Sequence, residues 1–420
     1  MIQFHLLSFE GPDPYARAGG LASRVDGLTR ALVSLGFETH LWFVGDPDLP
    51  GHEEREGVRL HRWCQWLSRH HLHGVYDGEE AKHRDYTASL APHLLEHVLL
   101  PHLAAGGDAV VLAEEWQTTD AVLELDRLLR VAGLRERVTL VWNANNLFGF
   151  DRIAWSELSR AAAITTVSRM MRLRMEPTGV AALVIPNGLP PEALSPPDRR
   201  LVAQLRVRLS DRLAVAKVAR WDPDKAWLYG VAGTRALKEA GLQPLLIARG
   251  GSEPHGAQVR QAASAAGLRW IDRSGPASLL DALGDLHETD VVCLDFALDS
   301  ATCRALYRAA DAVLANSRFE PFGLVGLEAM AAGGVACLGL TGEDYTLPGR
   351  NALVLQTEDP HELVAVLERL RAYPREERVL RATARRTAKT FAWTEVVSRL
   401  LLPRVELLRS PRALRARSVG

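Results

Sequence analysis

The sequence has few cysteines and no long apolar run. Its four cysteines (Cys64, Cys293, Cys303 and Cys337) form no C-x-x-C motif, which argues against a disulfide framework or a zinc ribbon and favours a reducing compartment. No run of about 18 apolar residues occurs, so we predict no membrane span. The N-terminus lacks a basic segment and carries an acid early. We therefore predict no signal peptide and expect a cytoplasmic protein.

An excess of charge of one sign is also missing. The 50 basic and 51 acidic residues give a net charge of −1, which does not predict a nucleic-acid partner. A hydrophobic content of 47% and a charged content of 24% are ordinary for a globular protein. A length of 420 residues predicts two domains or three. The sequence leaves the oligomeric state open.

The chain opens with a β-loop-α-β pattern. Residues 2–9 predict a buried strand, a glycine-containing loop follows, and apolar residues at helical spacing lead to Gly36, which ends the helix. Residues 38–44 predict the next strand. This order is typical of a parallel, doubly wound sheet. Further strands of this half are predicted at 138–142, 161–168 and 182–186.

A proline-rich stretch at 186–200 separates this half from a second α/β pattern. We therefore predict two Rossmann-like domains facing a cleft, at 1–190 and 200–392. The segment 393–420 is expected to contain a last helix, near 393–409, that packs back on the first domain, followed by a basic, solvated tail. Strands of the second domain are predicted at 213–219, 242–248, 289–296, 311–317, 334–340 and 351–356.

The segment RFEPFGLVGLEAMAAGG (318–334) predicts a ligand site. It follows a predicted strand, so Glu320 lies in a loop at the carboxyl end of a parallel strand, where open α/β sheets bind ligands. Gly323 and Leu324 begin the next helix, and their free N–H groups suit a phosphate. One turn later, Glu328 can accept hydrogen bonds from vicinal hydroxyls such as those of a ribose. The alternative is a helix with two solvent-facing acids.

Two further segments contribute weaker signals. In VARWDPDKAW (218–227), Arg220 and Lys225 follow a predicted strand and can clamp a diphosphate. The alternative is a surface ion-pair loop with nearby aspartates. In ARAGGLASRVDGL (16–28), Gly20 precedes a helix and permits close approach of a ligand. Taken by itself, this segment favours the alternative of a plain tight turn.

Two patterns suggest metals, and both are common by chance. Nine of the 14 histidines lie between His52 and His102, and HLLEH (93–97) matches the H-x-x-E-H pattern of inverted zinc proteases. The sequence places no third ligand for such a zinc. Two D-x-D triplets, at 46–48 and 222–224, resemble metal-binding carboxylate pairs.

Together these segments resemble the donor site of the retaining glycosyltransferases of family 4, which have the GT-B fold. The resemblance covers nearly the whole chain and is strongest at 213–356. It rests on Arg220 with Lys225, on Asn187-Gly188, and on EPFGLVGLEAMAAG. The first half is similar to the glycogen and starch synthase branch, through RAGGL (17–21), EEWQT (114–118) and TTVS (165–168).

The resemblance implies a hexosyltransferase, most similar to those that transfer glucose, with a nucleotide diphosphate sugar as donor and a hydroxyl as acceptor. It implies no metal and no other cofactor, because cations and helix termini neutralise the diphosphate. Catalysis would involve Glu320, Arg220, Lys225 and Asn145. The donor would be bound by Gly20, Arg17, Asn187, Gly323, Leu324 and Glu328.

The sequence departs from that family's pattern on the acceptor and sugar side. Arg17 replaces a lysine, Ser23 an aspartate, and Glu114-Glu115 a His-Asp pair. Asn145 replaces the histidine that contacts the donor sugar. An asparagine amide can donate a hydrogen bond to a hydroxyl, but it cannot take up a positive charge. The alternative function is therefore a nucleotide-sugar-binding protein with little or no catalysis.

Overall fold

The structure is a computed structural model that describes residues 2–275, 278–339 and 341–409. The chain divides into two compact units. The described residues of Met1–Gly188 and Trp393–Gly420 form the first unit, and Leu189–Ala392 forms the second. The predicted basic tail, 410–420, lies outside the described residues. No helix in the described ranges is long and apolar enough to cross a membrane.

The first unit is built on a sheet in which eight strands are described, in the order β3-β4-β2-β1-β5-β6-β7-β8. The strand pairs in this sheet are parallel apart from β3 with β4. Neighbours that are distant in sequence, such as β1 and β5, require helical crossovers, as in doubly wound folds. The strands are β1 (Ile2–Leu7), β2 (Glu38–Val44), β3 (His52–Arg55), β4 (Val58–Trp63), β5 (Asp108–Glu114), β6 (Val138–Ala144), β7 (Ala163–Thr166) and β8 (Leu183–Val184).

Helices flank this sheet, and the C-terminal helix belongs to the same core. Trp393 is buried in one cluster with Phe4, Leu28 and Leu112. A Cβ added at Gly27 would lie 2.1 Å from the Trp393 Nε1 atom, so glycine lets the C-terminal helix approach the helix Gly20–Ser34 closely. The helices are α1 (Gly20–Ser34), α2 (Gln65–Ser68), α3 (Glu79–Leu94), α4 (Leu100–Ala104), α5 (Thr119–Val131), α6 (Trp155–Ala161), α7 (Arg169–Met175), α17 (Trp393–Val396) and α18 (Leu402–Arg409).

The second unit has a parallel sheet in which seven strands are described, in the order β11-β12-β10-β9-β13-β14-β15. The order reverses at β9, the first strand of the unit, so β9 and β13 lie side by side at the point where ligands bind in such sheets. The strands are β9 (Leu213–Val218), β10 (Pro244–Arg249), β11 (Trp270–Ser274), β12 (Val291–Asp295), β13 (Ala312–Ala315), β14 (Ala336–Leu338) and β15 (Leu353–Val354).

Helices also pack on the second sheet. Its core contains Trp227, Leu237, Leu314 and Leu363. The helices are α8 (Pro191–Leu194), α9 (Arg199–Arg208), α10 (Trp227–Glu239), α11 (His255–Ala265), α12 (Leu279–Ala282), α13 (Ser300–Ala309), α14 (Leu324–Ala331), α15 (His361–Ala372) and α16 (Pro374–Lys389).

The predicted fold class is confirmed, but four observed strands have no predicted counterpart. β3 is polar throughout, β4 alternates buried residues with half-buried or exposed ones, and β11 is half-buried or exposed at a sheet edge. β5 lies at the centre of the first sheet, beside β1. The predicted strand at 161–168 is shorter in the structure, since Ser168 caps α7 by accepting a hydrogen bond from Met171 N at 3.1 Å.

Candidate functional site

Two loops of the second unit meet at the carboxyl ends of β9 and β13. The backbone N–H of Arg318 donates to the carbonyl oxygen of Asp224 at 2.8 Å, which ties the loops together. The Lys225 Nζ atom donates to Glu320 Oε2 at 2.6 Å. Both side chains keep about a fifth of their surface exposed, at 22% and 21%. The structure thus joins two predicted site residues in an ion pair that solvent can reach.

The start of α14 lies beside this ion pair. Gly323 precedes the helix with a φ of +78°, which favours glycine. A Cβ at this position would also lie 2.6 Å from Glu343 Cγ, so the backbone conformation and the close packing both require glycine. The Tyr345 hydroxyl donates to the Gly323 carbonyl at 2.5 Å. Among the described residues, no acceptor takes a hydrogen bond from the N–H groups of Gly323 or Leu324. These groups and the helix dipole are therefore available to an anion.

Two further carboxyl groups lie close to this helix start. Burial raises the pKa of Glu328 to about 7, and within the described ranges its side chain has no ion-pair or hydrogen-bond partner. Burial also raises the pKa of Glu343 to about 7, although Glu343 Oε2 accepts a hydrogen bond from Thr341 N at 2.6 Å. The Glu343 Oε1 atom is buried and unpaired among the described residues. Both groups can therefore hold a proton near neutral pH. We refer to Lys225, Glu320, Gly323, Leu324 and Glu328 as the carboxyl-edge site.

Arg220 is placed differently from Lys225. Its side chain is 68% exposed, and its guanidinium lies 4.0 Å from Asp222 Oδ2. Its carbonyl oxygen accepts a hydrogen bond from Trp227 Nε1 at 2.7 Å. The structure therefore fixes the backbone of Arg220 and leaves its side chain exposed, without contact to Glu320.

The D-x-D triplets are used in turns. Asp222 Oδ1 accepts a hydrogen bond from Asp224 N at 2.9 Å, and Asp46 Oδ1 accepts one from Asp48 N at 2.9 Å. Aspartate commonly stabilises turns by this contact. The rings of His93 and His97 are tilted at 52° to each other, with centroids 4.6 Å apart. In the part of the chain that the structure describes, no group of three His, Cys, Asp or Glu side chains is arranged to hold a metal.

A buried polar network occupies the carboxyl edge of the first unit. Arg24 Nε donates to both carboxylate oxygens of Glu114 at 3.0 Å, and its Nη1 donates to Asn187 Oδ1 at 2.7 Å. Asn143 and Asn145 donate through their amides to Glu114 Oε2, at 2.9 and 2.7 Å. The predicted site residues Asn145 and Asn187 are thus linked through Arg24 and Glu114.

Asn145 is engaged on both its backbone and its side chain. Its backbone N–H donates to Glu115 Oε1 at 2.6 Å, and its amide donates to Glu114. Its Oδ1 atom is buried without a hydrogen-bond partner among the described residues. Burial raises the pKa of Glu115 to about 8, and this residue has a φ of +67°. A non-glycine residue in that region is strained, which is typical of functional sites.

The start of α1 carries an internal anion. Glu10 Oε2 accepts hydrogen bonds from Gly19 N and Ala22 N, both at 3.0 Å. Its other oxygen accepts one from the Tyr76 hydroxyl at 2.8 Å. A carboxylate therefore already occupies part of the helix terminus at which Gly20 was predicted to approach a phosphate. Gly20 itself has open space around it, and Arg17 is exposed.

Three charged residues of these clusters were given no role by the sequence prediction: Glu10, Arg24 and Glu343. Arg24 lies three residues after Leu21 and four before Leu28, so it falls within the apolar stripe of α1. A charged residue in such a stripe is a signal for a buried ion pair. Glu10 and Glu343 lie in loops, where the sequence pattern gives no comparable signal.

Comparison with known proteins supports the resemblance. The model of the family "Glycosyl transferases group 1" matches residues 258–372, which include Glu320, Gly323 and Glu328. The D-inositol 3-phosphate glycosyltransferase of Thermomonospora curvata is 34% identical over 131 residues. That match spans 31% of this chain and only 30% of the relative.

Solved structures match over nearly the full length. The sucrose-phosphate synthase of Thermosynechococcus elongatus has a TM-score of 0.67 and 20% identity, covering 97% of this chain and 99% of that one. Anabaena HepE in complex with UDP has a TM-score of 0.62 and 14% identity, covering 96% and 100%. These likenesses show the fold. The predicted GT-B fold is thereby confirmed. The family model and the matching relative confirm the predicted resemblance to group 1 (family 4) glycosyltransferases.

Proposed function

We propose that the protein is a retaining hexosyltransferase, which moves a hexose, with glucose as the first candidate, from a nucleotide diphosphate sugar to a hydroxyl acceptor. The reaction needs no metal. The observation that carries this proposal is the carboxyl-edge site itself. It combines a cation (Lys225) with free helix-terminal amides (Gly323 and Leu324) and two carboxyl groups (Glu320 and Glu328). The amides and the carboxyl groups lie within the segment that matches the group 1 glycosyltransferases.

The charges of this site suit a diphosphate donor. Lys225 and the amides of Gly323 and Leu324 bind the leaving diphosphate, aided by the exposed guanidinium of Arg220. Glu328 bonds to ribose hydroxyls. Its carboxyl can act as acceptor or donor there, because its pKa lies near 7. Anabaena HepE, which shares the fold, is described with UDP bound.

The chemical step is a substitution at the anomeric carbon. The acceptor hydroxyl forms a bond to that carbon on the face from which the diphosphate leaves, and the leaving phosphate oxygen takes the hydroxyl proton. Glu320 holds the transferred sugar, and Lys225 stabilises the charge that develops on the diphosphate. The cation and helix dipole supply the neutralisation that a metal gives in other transferases.

A panel of nucleotide sugars tests this proposal. A donor raises the melting temperature by mass action, so UDP-, ADP- and GDP-glucose and GDP-mannose are compared in a thermal-shift assay. With the donor identified, proton NMR of the product reports whether the anomeric configuration is kept. Activity that survives EDTA supports the metal-free reaction. An inverted product or an EDTA-sensitive rate contradicts the corresponding part of the proposal.

A second candidate is a nucleotide-sugar-binding protein without transfer. The observation that favours it is the engagement of Asn145, whose amide donates to Glu114 rather than being free for a sugar hydroxyl. This candidate predicts tight donor binding with neither transfer nor donor hydrolysis. Calorimetry with the stabilising donor, followed by product analysis with candidate acceptors, separates the two.

A further inference from the structure

Lys217 is a lysine buried in the interior of the second unit. It lies on β9, one residue before the end of the strand, and only 1% of its surface is exposed. Its ammonium donates to Asn316 Oδ1 at 2.8 Å and lies 3.4 Å from the Leu314 carbonyl oxygen. It also lies 5.2 Å from the centre of the Trp227 ring. A lysine so deeply buried requires an explanation, because burial disfavours its charged form.

The contacts of Lys217 connect it to the carboxyl-edge site. Asn316 begins the loop that carries Glu320, directly after β13 ends at Ala315. Trp227, under the ammonium, also donates to the carbonyl of Arg220 on the other loop. Lys217 therefore supports both loops of the site from below without reaching the surface where a ligand would bind.

We propose that Lys217 is a positioning residue, which holds Asn316 at the start of the Glu320 loop and takes up a proton when a nucleoside diphosphate binds at Lys225. The proposal rests on the proposed function. In the free protein the positive charge of Lys225 disfavours a second cation at Lys217. A diphosphate beside Lys225 offsets that charge, and the ammonium form of Lys217 then makes a stronger, charge-assisted bond to Asn316.

The surroundings of Lys217 agree with this coupling. Burial, and then the charge of Lys225, lower the pKa of Lys217 to about 7, so its proton is exchangeable near neutral pH. The other groups that act on it are Cys337 and Glu320, which favour the charged form. Cys337 stays a neutral thiol at this pH, since burial raises its pKa to about 12. Glu320 is already paired with Lys225.

Proton uptake is measured by titrating UDP, ADP and GDP into the full-length protein at pH 7.5, by calorimetry in buffers of different ionisation enthalpy. The wild-type protein is compared with Lys217→Met and Asn316→Asp. Met has no proton to gain, and an aspartate at 316 keeps Lys217 charged before the ligand arrives. We expect both variants to take up roughly half a proton less than wild type per bound nucleotide. Comparison with wild type cancels protons exchanged by the ligand or by Glu328.

Lys82→Met is the matched control. Lys82 is also fully buried, but it lies in the first unit and donates to the Tyr15 hydroxyl and to two backbone carbonyls. This variant should keep the proton uptake of wild type. Equal uptake in wild type, Lys217→Met and Asn316→Asp overturns the inference alone, and Asn316→Asp decides the matter if Lys217→Met does not fold. Failure of all three nucleotides to bind the wild type overturns the proposed function and this inference with it.

Discussion

Lys225 and Glu320 are 95 residues apart in sequence, yet they form an ion pair with Nζ and Oε2 at 2.6 Å. The two residues were assigned opposite partners, the diphosphate for Lys225 and the transferred sugar for Glu320. In the free protein the two side chains are bonded to each other instead. A donor that binds here must therefore replace a direct ion pair by two separate contacts. Substitutions of the two residues should for this reason affect donor binding and sugar transfer differently.

Lys225→Ala should reduce turnover by at least about 100-fold while the fold survives, because the main cation for the leaving group is lost. Steady-state kinetics and the melting temperature measure the two effects. Lys389→Ala is the matched control, since Lys389 is an exposed lysine of the same unit. Near-wild-type turnover in Lys225→Ala would remove the catalytic assignment.

Glu320→Gln should separate donor binding from transfer. Loss of the carboxylate frees the ammonium of Lys225, so we expect a nucleoside diphosphate to bind more tightly than to wild type. Transfer should fall because the contact to the sugar is altered. Calorimetry with UDP, ADP and GDP measures the first effect, and turnover measures the second. Weaker binding of all three nucleotides would show that Glu320 supports the diphosphate site instead.

The carboxyl-edge site could be predicted from the sequence because its signals are local. Glu320, Gly323 and Glu328 lie in one segment after a predicted strand, and the switch point of a parallel sheet then gives their position. The Lys225–Glu320 pair depends on strand order, since β9 and β13 are neighbours only in the folded sheet. The sequence analysis also did not predict β5 or the Arg24–Glu114 ion pair. The sequence shows each of these residues, but pairing between residues 90 apart is not encoded in a local pattern.

Gly323→Ala should be more harmful than a typical glycine substitution. The φ of +78° is unfavourable for alanine, and the new Cβ would also meet Glu343 Cγ at 2.6 Å. Gly349→Ala provides a matched control, with a φ of +69° and no atom within 4 Å of the added Cβ. Denaturant unfolding should show a larger loss for Gly323→Ala, and the extra loss should shrink in Gly323→Ala with Glu343→Ala. Equal losses in both single variants would contradict the clash.

Arg24→Met should destabilise the first unit by about 3–5 kcal/mol, because it leaves the buried Glu114 carboxylate without its cation. Arg24 and Glu114 are only 4% and 1% exposed. The double variant Arg24→Met with Glu114→Gln should recover part of this loss, since the unpaired charge is also removed. Chemical denaturation of the four proteins forms a double-mutant cycle. Additive losses would show that the two side chains do not stabilise each other.

The pH dependence of the free energy of unfolding should reveal the raised pKa of the Glu328 carboxyl. Burial raises the pKa of its carboxyl from 4.5 to about 7 in the folded protein, so the folded state binds this proton more tightly than the unfolded chain does. The resulting stabilisation is fully present below pH 4.5 and is lost as the pH rises to 7. Glu328→Gln has no proton to lose. Relative to wild type, its stability should therefore increase between pH 4.5 and 7 by about 1–3 kcal/mol and then stay level.

Glu376→Gln, at an exposed glutamate of the same unit, should show no such trend. The stability difference between Glu328→Gln and wild type could instead be constant from pH 4.5 to 8. The carboxylate of Glu328 would then be ionised in the folded protein, and it could bind a ribose hydroxyl only as a hydrogen-bond acceptor.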